Sequence, residues 1–171
     1  MKTFAERLEL TRQGGTVKRS HTNFIHQPEN NAEHTYNMLN IILILHPNPS
    51  VDLIKAASWH DVPERFTGDI PSPAKRLFPK LKEASLEAEK RIAKQFNFDV
   101  VLSDDELNWL KAADKLEYMM HCAEEIARGN AMARVRMDRV KEDILTNNAT
   151  PPQIREFAEN YRHNPSNEII L

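Results

Sequence analysis

Glycine, cysteine and long apolar runs are all scarce in this sequence. Only four glycines occur in 171 residues, so there is no room for a GxxxxGK phosphate loop or a GxGxxG dinucleotide turn. The single cysteine, Cys122, excludes an internal disulfide and favours a reducing, cytoplasmic compartment. The longest apolar run, IILIL at 41–45, is far shorter than a bilayer span, and the charged N-terminus lacks the apolar core of a secretory signal. We therefore expect no membrane segment.

The sequence also has no excess of positive charge. Its 23 lysines and arginines against 25 aspartates and glutamates give a net charge of −2, which argues against a nucleic-acid polymer as partner. With 40% hydrophobic and 28% charged residues, the composition is that of a soluble globular protein. The length suits one buried core, so residues 1–171 are predicted to form a single domain. A small anionic ligand would need only a local positive cluster, which is supplied by Lys75, Arg76, Lys80 and Lys82.

Apolar residues recur with helical spacing along most of the chain, and no convincing alternating strand pattern is found. The fold class predicted is therefore all-α. The apolar helix that begins at Glu33 is expected to be the buried central helix. His121 is expected at the surface or at a subunit interface, and the proline-interrupted stretch 65–80 is expected to be an irregular loop over the site. Helices are predicted over 2–13, 33–46, 51–61, 81–96, 104–128, 131–146 and 151–163.

Two histidines and two aspartates on three of these helices form a candidate metal site. A lone buried histidine is more often a hydrogen-bonded core residue. Four buried polar groups, however, would each cost about 1–3 kcal/mol of desolvation unless they bound one another or a cation. Imidazoles and carboxylates together suit a divalent transition ion. Glu33, next to His34, is a candidate to orient that histidine. We expect one divalent ion, cobalt, manganese, zinc or magnesium, to be held by His34, His60, Asp61 and Asp114.

The order H…HD…D, in these sequence contexts, resembles the HD-domain metal-dependent phosphohydrolase superfamily. The match is to its nucleotide-directed branch, the deoxynucleotide 5′-nucleotidases and the phage dATP triphosphohydrolases, and it covers most of the chain. The resemblance implies one HD-type helical bundle with a metal site at its centre, a deoxynucleotide substrate and a homo-oligomer. The motifs that carry it, in the order and rough spacing of that branch, are RSHT (19–22), AEH (32–34), HDVPE (60–64), TGDIPSP (67–73) and KAADKLE (111–117).

Catalytic and substrate-binding residues are predicted around the metal ligands. Glu64 follows Asp61 by three residues on the same side of a helical turn, so it is a candidate to transfer a proton while Asp61 serves as ligand and catalytic group. The alternative is a structural pair between Glu64 and Arg65. The resemblance implies that Arg19 holds a substrate phosphate and that Asp69 accepts a hydrogen bond from the sugar 3′-hydroxyl. Asp69 is alternatively a turn residue that binds backbone.

Two lysines are candidates to neutralise substrate phosphates. Lys75 belongs to the basic cluster of 75–82, and Lys111 lies one helical turn before Asp114. For Lys111 the alternative is an ion pair with Glu106 or Glu117. Both lysines are therefore predicted substrate-binding residues.

The resemblance leaves two reactions open, which are release of triphosphate from a dNTP and removal of the 5′-phosphate from a dNMP. The nucleotidases typically place a tryptophan after the phosphate-binding arginine, whereas this chain has Ser20. This departure and the basic run 75–82 favour a dATP triphosphohydrolase, with the 5′-nucleotidase as the alternative. A metal-stabilised interaction domain without activity is a third hypothesis, and the presence of Arg19, Glu64 and Asp69 speaks against it.

Overall fold

Residues 2–163 are described by the structure, a computed structural model; Met1 and residues 164–171 of the predicted domain lie outside that range. The all-α prediction is confirmed, because this range contains nine helices and no strand, with one isolated antiparallel bridge between Lys18 and Asn30. In chain order the helices are α1 (Phe4–Gly15), α2 (Asn31–Leu45), α3 (Val51–Trp59), α4 (Glu64–Thr67), α5 (Ser72–Leu77), α6 (Pro79–Phe96), α7 (Asp104–Ala127), α8 (Ala133–Thr146) and α9 (Pro152–Asn160).

Local capping sets where the main helices begin. Ser103 accepts a hydrogen bond from the backbone N–H of Glu106, whose side chain accepts one from Ser103 in return, and this capping box starts α7. Asn30 caps α2 by accepting from the backbone of Glu33. Ser50 caps α3 in the same way. These three caps start the helices that carry His34 and Asp114 and the helix that ends at His60, directly before Asp61.

Helix α7 is the centre of the bundle and packs against α2, α3, α8 and α9. The prediction that the helix around 33–46 is the buried centre is therefore wrong. That helix buries one face only, and Tyr36 and Ile44 on its other face are 68% and 77% exposed. The main core contains Met38, Ile42, Leu53, Ala57, Trp109, Ala112, Ala113, Leu116, Met119, Ile144, Ile154 and Ala158.

A smaller core brings α1 against the segment that follows His60 and Asp61. Its buried members are Leu10, Val62, Phe96 and Phe98. Gly14 permits this approach, because a Cβ at that position would lie 3.1 Å from the Cα and the carbonyl oxygen of Val62. Backbone atoms cannot yield as a flexible side chain can, so a side chain at position 14 would displace the turn that carries the HD pair.

The stretch 65–80 is more regular than predicted. It contains the end of α4, all of α5 and the start of α6, because prolines fit the first turn of a helix, where their missing N–H is not needed. His121 is also placed differently, since it is 7% exposed and lies inside the bundle. Among residues 2–163, no helix combines the length and the apolarity needed to span a membrane.

Candidate metal centre

The four predicted ligands lie on α2, on α7 and in the turn that follows α3, and they meet at one place. His34 lies in the first turns of α2, His60 is the C-terminal cap of α3, and Asp114 lies midway along α7. His60 Nε2 is 3.2 Å and His34 Nε2 is 3.8 Å from Asp61 Oδ2, and His34 Nε2 is 3.1 Å from Asp114 Oδ1. Ligand atoms of His34, His60 and Asp61 all lie within 4.8 Å of one another.

The two imidazole rings are oriented as metal ligands are. In each ring Nδ1 is occupied, in His60 by the carbonyl oxygen of Ala57 at 2.9 Å and in His34 by the carboxylate of Glu117 at 2.5 Å. A proton on Nδ1 leaves Nε2 with its lone pair. Both Nε2 atoms are buried, and although they lie 3.1 and 3.2 Å from aspartate oxygens they are not aligned for a hydrogen bond. Buried polar atoms are rarely left unsatisfied, so this donor set fits a bound cation.

The electrostatics of the site favour positive charge. Burial by itself lowers the pKa of His34, but the adjacent carboxylates of Asp114 and Glu117 outweigh it and raise the pKa to about 10. Burial likewise opposes ionisation of Asp61, yet His60 and Arg19 hold its pKa below the usual range. The Asp114 side chain is 46% exposed, so the cluster opens to solvent on the side of α7.

Arg19 lies directly over the two aspartates. Its guanidinium is 2.5 Å from Asp61 Oδ2 and 3.7 Å from Asp114 Oδ1, and its Nε is 3.5 Å from Glu29 Oε2. Burial alone would lower the pKa of Arg19, but these carboxylates raise it, so the side chain stays charged. A phosphate at this place would meet a fixed positive charge.

Glu64 lies beside the cluster and not in it. It is 6% exposed, and its Oε2 accepts a hydrogen bond from Asn31 Nδ2 at 2.8 Å. Burial and the nearby Asp61 carboxylate raise the pKa of Glu64 to about 8, although the bond from Asn31 opposes this. A carboxyl group that carries a proton near neutral pH is suited to proton transfer. The alternative pair with Arg65 is not formed, because the Arg65 Nε donates to Gln13.

Asp69 is tied to the loop that carries Arg19. Its Oδ2 accepts a hydrogen bond from the backbone N–H of Ser20 at 3.2 Å. Ser20 has a positive φ of 51°, which is uncommon for a residue with a side chain, and this bond helps hold it there. Gly68, with φ of 69°, makes the turn from α4 that places Asp69.

The two predicted lysines do not join the cluster. Lys75 is half-buried on α5 and Lys111 is exposed on α7. Within residues 2–163, no hydrogen bond or ion pair connects either lysine to the histidines, the aspartates or Arg19. Glu117 does not pair with Lys111, because its carboxylate is buried against His34.

Several residues of the site were missed by sequence reasoning. Glu33 does not orient His34; its backbone N–H bonds Asn30 and its side chain is exposed, whereas Glu117 contacts the ring. Glu117 follows Asp114 by three residues on the same helix face, so the sequence spacing could have predicted that its side chain lies near the metal ligands. No comparable sequence spacing links Asn31 or Glu29 to the predicted ligands.

The loop that follows Arg19 is also held by a buried carboxylate on α7. Glu125, fully buried on α7, accepts hydrogen bonds from the backbone N–H groups of His26 and Gln27 at 2.7 and 2.8 Å and from the side chain of Asn130. Burial raises the pKa of Glu125, but these bonds outweigh it and lower the pKa on balance. The loop between Arg19 and α2 is therefore bound to the bundle from both ends.

Two solved structures share this architecture. One is the cyanophage S-2L HD phosphohydrolase DatZ, bound to dA and one catalytic Zn²⁺ ion, with a TM-score of 0.68, 19% identity and coverage of 93% of each chain. The other is a Pyrococcus horikoshii protein, with a TM-score of 0.71 and 19% identity over 91% of this chain and 96% of that chain. At such identity the likeness establishes the fold, which is that of the HD phosphohydrolases.

The sequence profile described as 5′-deoxynucleotidase YfbR-like matches residues 9–164. The chain therefore belongs to the YfbR-like family. Curated relatives named 5′-deoxynucleotidase YfbR, from Escherichia coli O1:K1 and Shigella boydii serotype 18, are 30% identical over 105 residues, which is 50% of this chain. The alignment spans about half the length of those relatives, 52%.

Proposed function

We propose that this protein is a metal-dependent phosphohydrolase that removes the 5′-phosphate from 2′-deoxynucleotides. The observation that carries the proposal is the pair of buried Nε2 atoms, on His34 and His60, without hydrogen-bond partners beside two aspartates. Membership of the YfbR-like family and the name of the curated relatives, 5′-deoxynucleotidase, support the deoxynucleotide substrate and the monophosphate reaction. The catalytic Zn²⁺ in the DatZ structure supports the metal.

One divalent ion would be held by two imidazoles and two carboxylates. When bound, it supplies Lewis acidity at a phosphoryl oxygen and lowers the pKa of water toward neutrality. Cobalt, manganese, zinc and magnesium remain the candidates, because the mixed nitrogen and oxygen set suits several divalent ions. The residues that would hold it are His34, His60, Asp61 and Asp114.

Three residues around the ligands would bind the phosphate, transfer a proton and bind the sugar. Arg19 binds the substrate phosphate through a guanidinium that is already desolvated and fixed, so little order is lost on binding. Glu64, held at Oε2 by Asn31, carries a proton on Oε1 and gives it to the 5′-oxygen as the phosphorus–oxygen bond breaks. Asp69 faces the sugar and accepts from the 3′-hydroxyl.

Release of triphosphate from dATP is the second candidate reaction. Ser20 stands where the nucleotidases place tryptophan, and half-buried Lys75 with exposed Arg76, Lys80 and Lys82 adds positive charge at the α5–α6 corner. A longer phosphate chain would find more partners on such a surface than a single phosphate does.

A substrate panel tests the proposal. The chain is loaded with each of the four ions and incubated with dNMPs, dNDPs, dNTPs and the matching ribonucleotides, and products are resolved by phosphorus NMR. We expect orthophosphate and deoxynucleoside from dNMPs. Inorganic tripolyphosphate and deoxyadenosine appearing together from dATP would select the second candidate. No hydrolysis with any ion would support a non-catalytic domain and contradict both reactions.

The role of Asp69 is tested by removing either partner of the proposed contact. A hydrogen bond to a charged group contributes about 1.5–3 kcal/mol, so Asp69→Ala should lower kcat/KM about 10- to 150-fold for every base. A 2′,3′-dideoxynucleotide should be a comparably poor substrate for the parent enzyme. Because Asp69 also holds the backbone of Ser20, Asp69→Asn serves as the matched variant that retains this acceptor. If the parent hydrolysed 3′-deoxy and 3′-hydroxy substrates at equal rates, Asp69 would not contact the sugar, and its only role would be the hydrogen bond that it accepts from Ser20.

A further inference from the structure

Two buried carboxylates lie on the other side of His34 from the aspartates. Glu117 and Glu29 have side chains only 4% and 3% exposed, and His34 is fully buried between them and the aspartates. One carboxylate oxygen of each and one ring nitrogen of His34 lie within 4.8 Å of one another. Burying two acidic groups side by side costs free energy, so each of them needs a favourable interaction with a neighbouring group.

Glu117 contacts the metal-facing histidine. Its Oε2 is 2.5 Å from His34 Nδ1, the nitrogen opposite the one that points at Asp61 and Asp114. An acceptor at Nδ1 keeps the proton on that nitrogen and therefore keeps the lone pair on Nε2. Without this acceptor the neutral ring could place its proton on Nε2, where it would exclude a cation.

Glu29 contacts the phosphate-facing arginine. Its Oε2 is 3.5 Å from Arg19 Nε, while Nη1 and Nη2 of Arg19 approach the two aspartates. The Glu29 carbonyl oxygen also accepts the Arg19 backbone N–H at 3.0 Å. Glu29 thus holds the guanidinium by the edge that does not face the opening of the site.

We propose that Glu117 and Glu29 are a pair of positioning residues with separate tasks. Glu117 fixes the tautomer and orientation of His34 for the metal, and Glu29 fixes Arg19 for the phosphate. The inference rests on the proposed function and deepens it. Loss of an outer carboxylate behind a metal-binding histidine typically weakens metal affinity or activity about 10- to 100-fold.

The chain offers isosteric variants and a matched control. Glutamine at position 117 can still accept from Nδ1 and fills the same volume, whereas alanine removes the acceptor. Keeping the volume matters because Glu117 and Glu29 also line a groove of about 340 Å³ between α2 and α7. Glu124→Gln is the control, since Glu124 lines the same groove but is 43% exposed and pairs with Arg128.

The first measurement is metal affinity without substrate, by competition with a chromogenic chelator. We expect Glu117→Ala to bind the ion about 10- to 100-fold more weakly than the parent, with Glu117→Gln in between. Glu29→Gln and Glu124→Gln should match the parent. Nitrogen-15 NMR of the metal-free parent, followed to a pH at which the His34 ring is neutral, should find the single ring proton on Nδ1, and Glu117→Ala should lose this preference.

The second measurement is the affinity of inorganic phosphate for the metal-loaded chain, by calorimetry. Glu29→Gln should weaken it several-fold, because the buried guanidinium loses one of its three carboxylate partners, and should raise KM more than it lowers kcat. Parent-like metal affinity in folded Glu117→Ala, or equal losses of both affinities in the Glu29 and Glu117 variants, would overturn the inference. If the parent bound no divalent ion, the proposed function would be overturned as well. If the parent bound the ion and hydrolysed deoxynucleotides, and Glu117→Ala had the same metal affinity, this inference alone would be overturned.

Discussion

Replacing His60 by alanine should remove both the bound metal and the activity. The ring supplies one of four proposed ligands, and its loss leaves an incomplete shell and removes the imidazole that lies 3.2 Å from the Asp61 carboxylate. Asp114→Ala should also remove the metal and the activity, because it removes the proposed ligand that α7 supplies beside His34. Elemental analysis after dialysis, run with a phosphate-release assay, measures both consequences on one sample.

His46→Ala provides the matched control for the loss of a histidine. His46 caps the far end of α2, where its ring packs against Trp109 and accepts the backbone N–H of Asn48, so it contacts none of the four ligands. This variant should keep its metal. Full occupancy and parental turnover in His60→Ala or Asp114→Ala would remove the cluster from the mechanism.

Glu64→Gln should keep the metal and lose the rate. Glutamine can preserve a hydrogen bond with Asn31, so the buried volume and the neighbouring ligands stay in place while the acidic proton of the carboxyl group is lost. General acid or base catalysis typically contributes about 10²- to 10⁴-fold, and kcat should fall by that amount. Stopped assays on protein of verified metal content measure it.

The companion variant is Glu33→Gln, which neutralises an exposed carboxylate at the start of α2. It should hydrolyse at the parental rate. If Glu64→Gln stayed within about tenfold of the parent, less than a proton-transferring group contributes, Glu64 would be a structural partner of Asn31 only. Loss of metal from Glu64→Gln would instead make it a ligand.

The four proposed ligands were predictable because their signal is sequential. His60 and Asp61 are adjacent, and His34 and Asp114 lie among apolar helix positions, so the pattern of the sequence alone singles them out. Asp114 was predicted to be buried, whereas its side chain is 46% exposed where the cluster opens to solvent. Helix starts were predictable for the same reason. Ser103 with Glu106 is a capping pair that acts over three residues, independent of the rest of the fold.

Contacts between distant residues were not predictable in this way. Glu117 and His34 are 83 positions apart, and Arg19 and Asp61 are 42 apart. Their pairing depends on how α2, α3 and α7 cross, which is set by packing of the core and by close approaches such as that of Gly14 to Val62. The same packing decided that α7 and not α2 is central, and that His121 is buried.

The sequence by itself therefore determined the all-helical fold, the main helices and the residue types and order of the candidate metal centre, because helical periodicity, capping and the HD motif are local. Tertiary structure alone decided which side chains support that centre. It placed Glu117 behind His34, Glu29 against Arg19, Asn31 on Glu64 and Asp69 on the backbone of Ser20, and it left Lys75 and Lys111 outside the cluster. The physical reason is that buried polar groups must find partners wherever the packed helices bring them together, and these partners are set by three-dimensional distance.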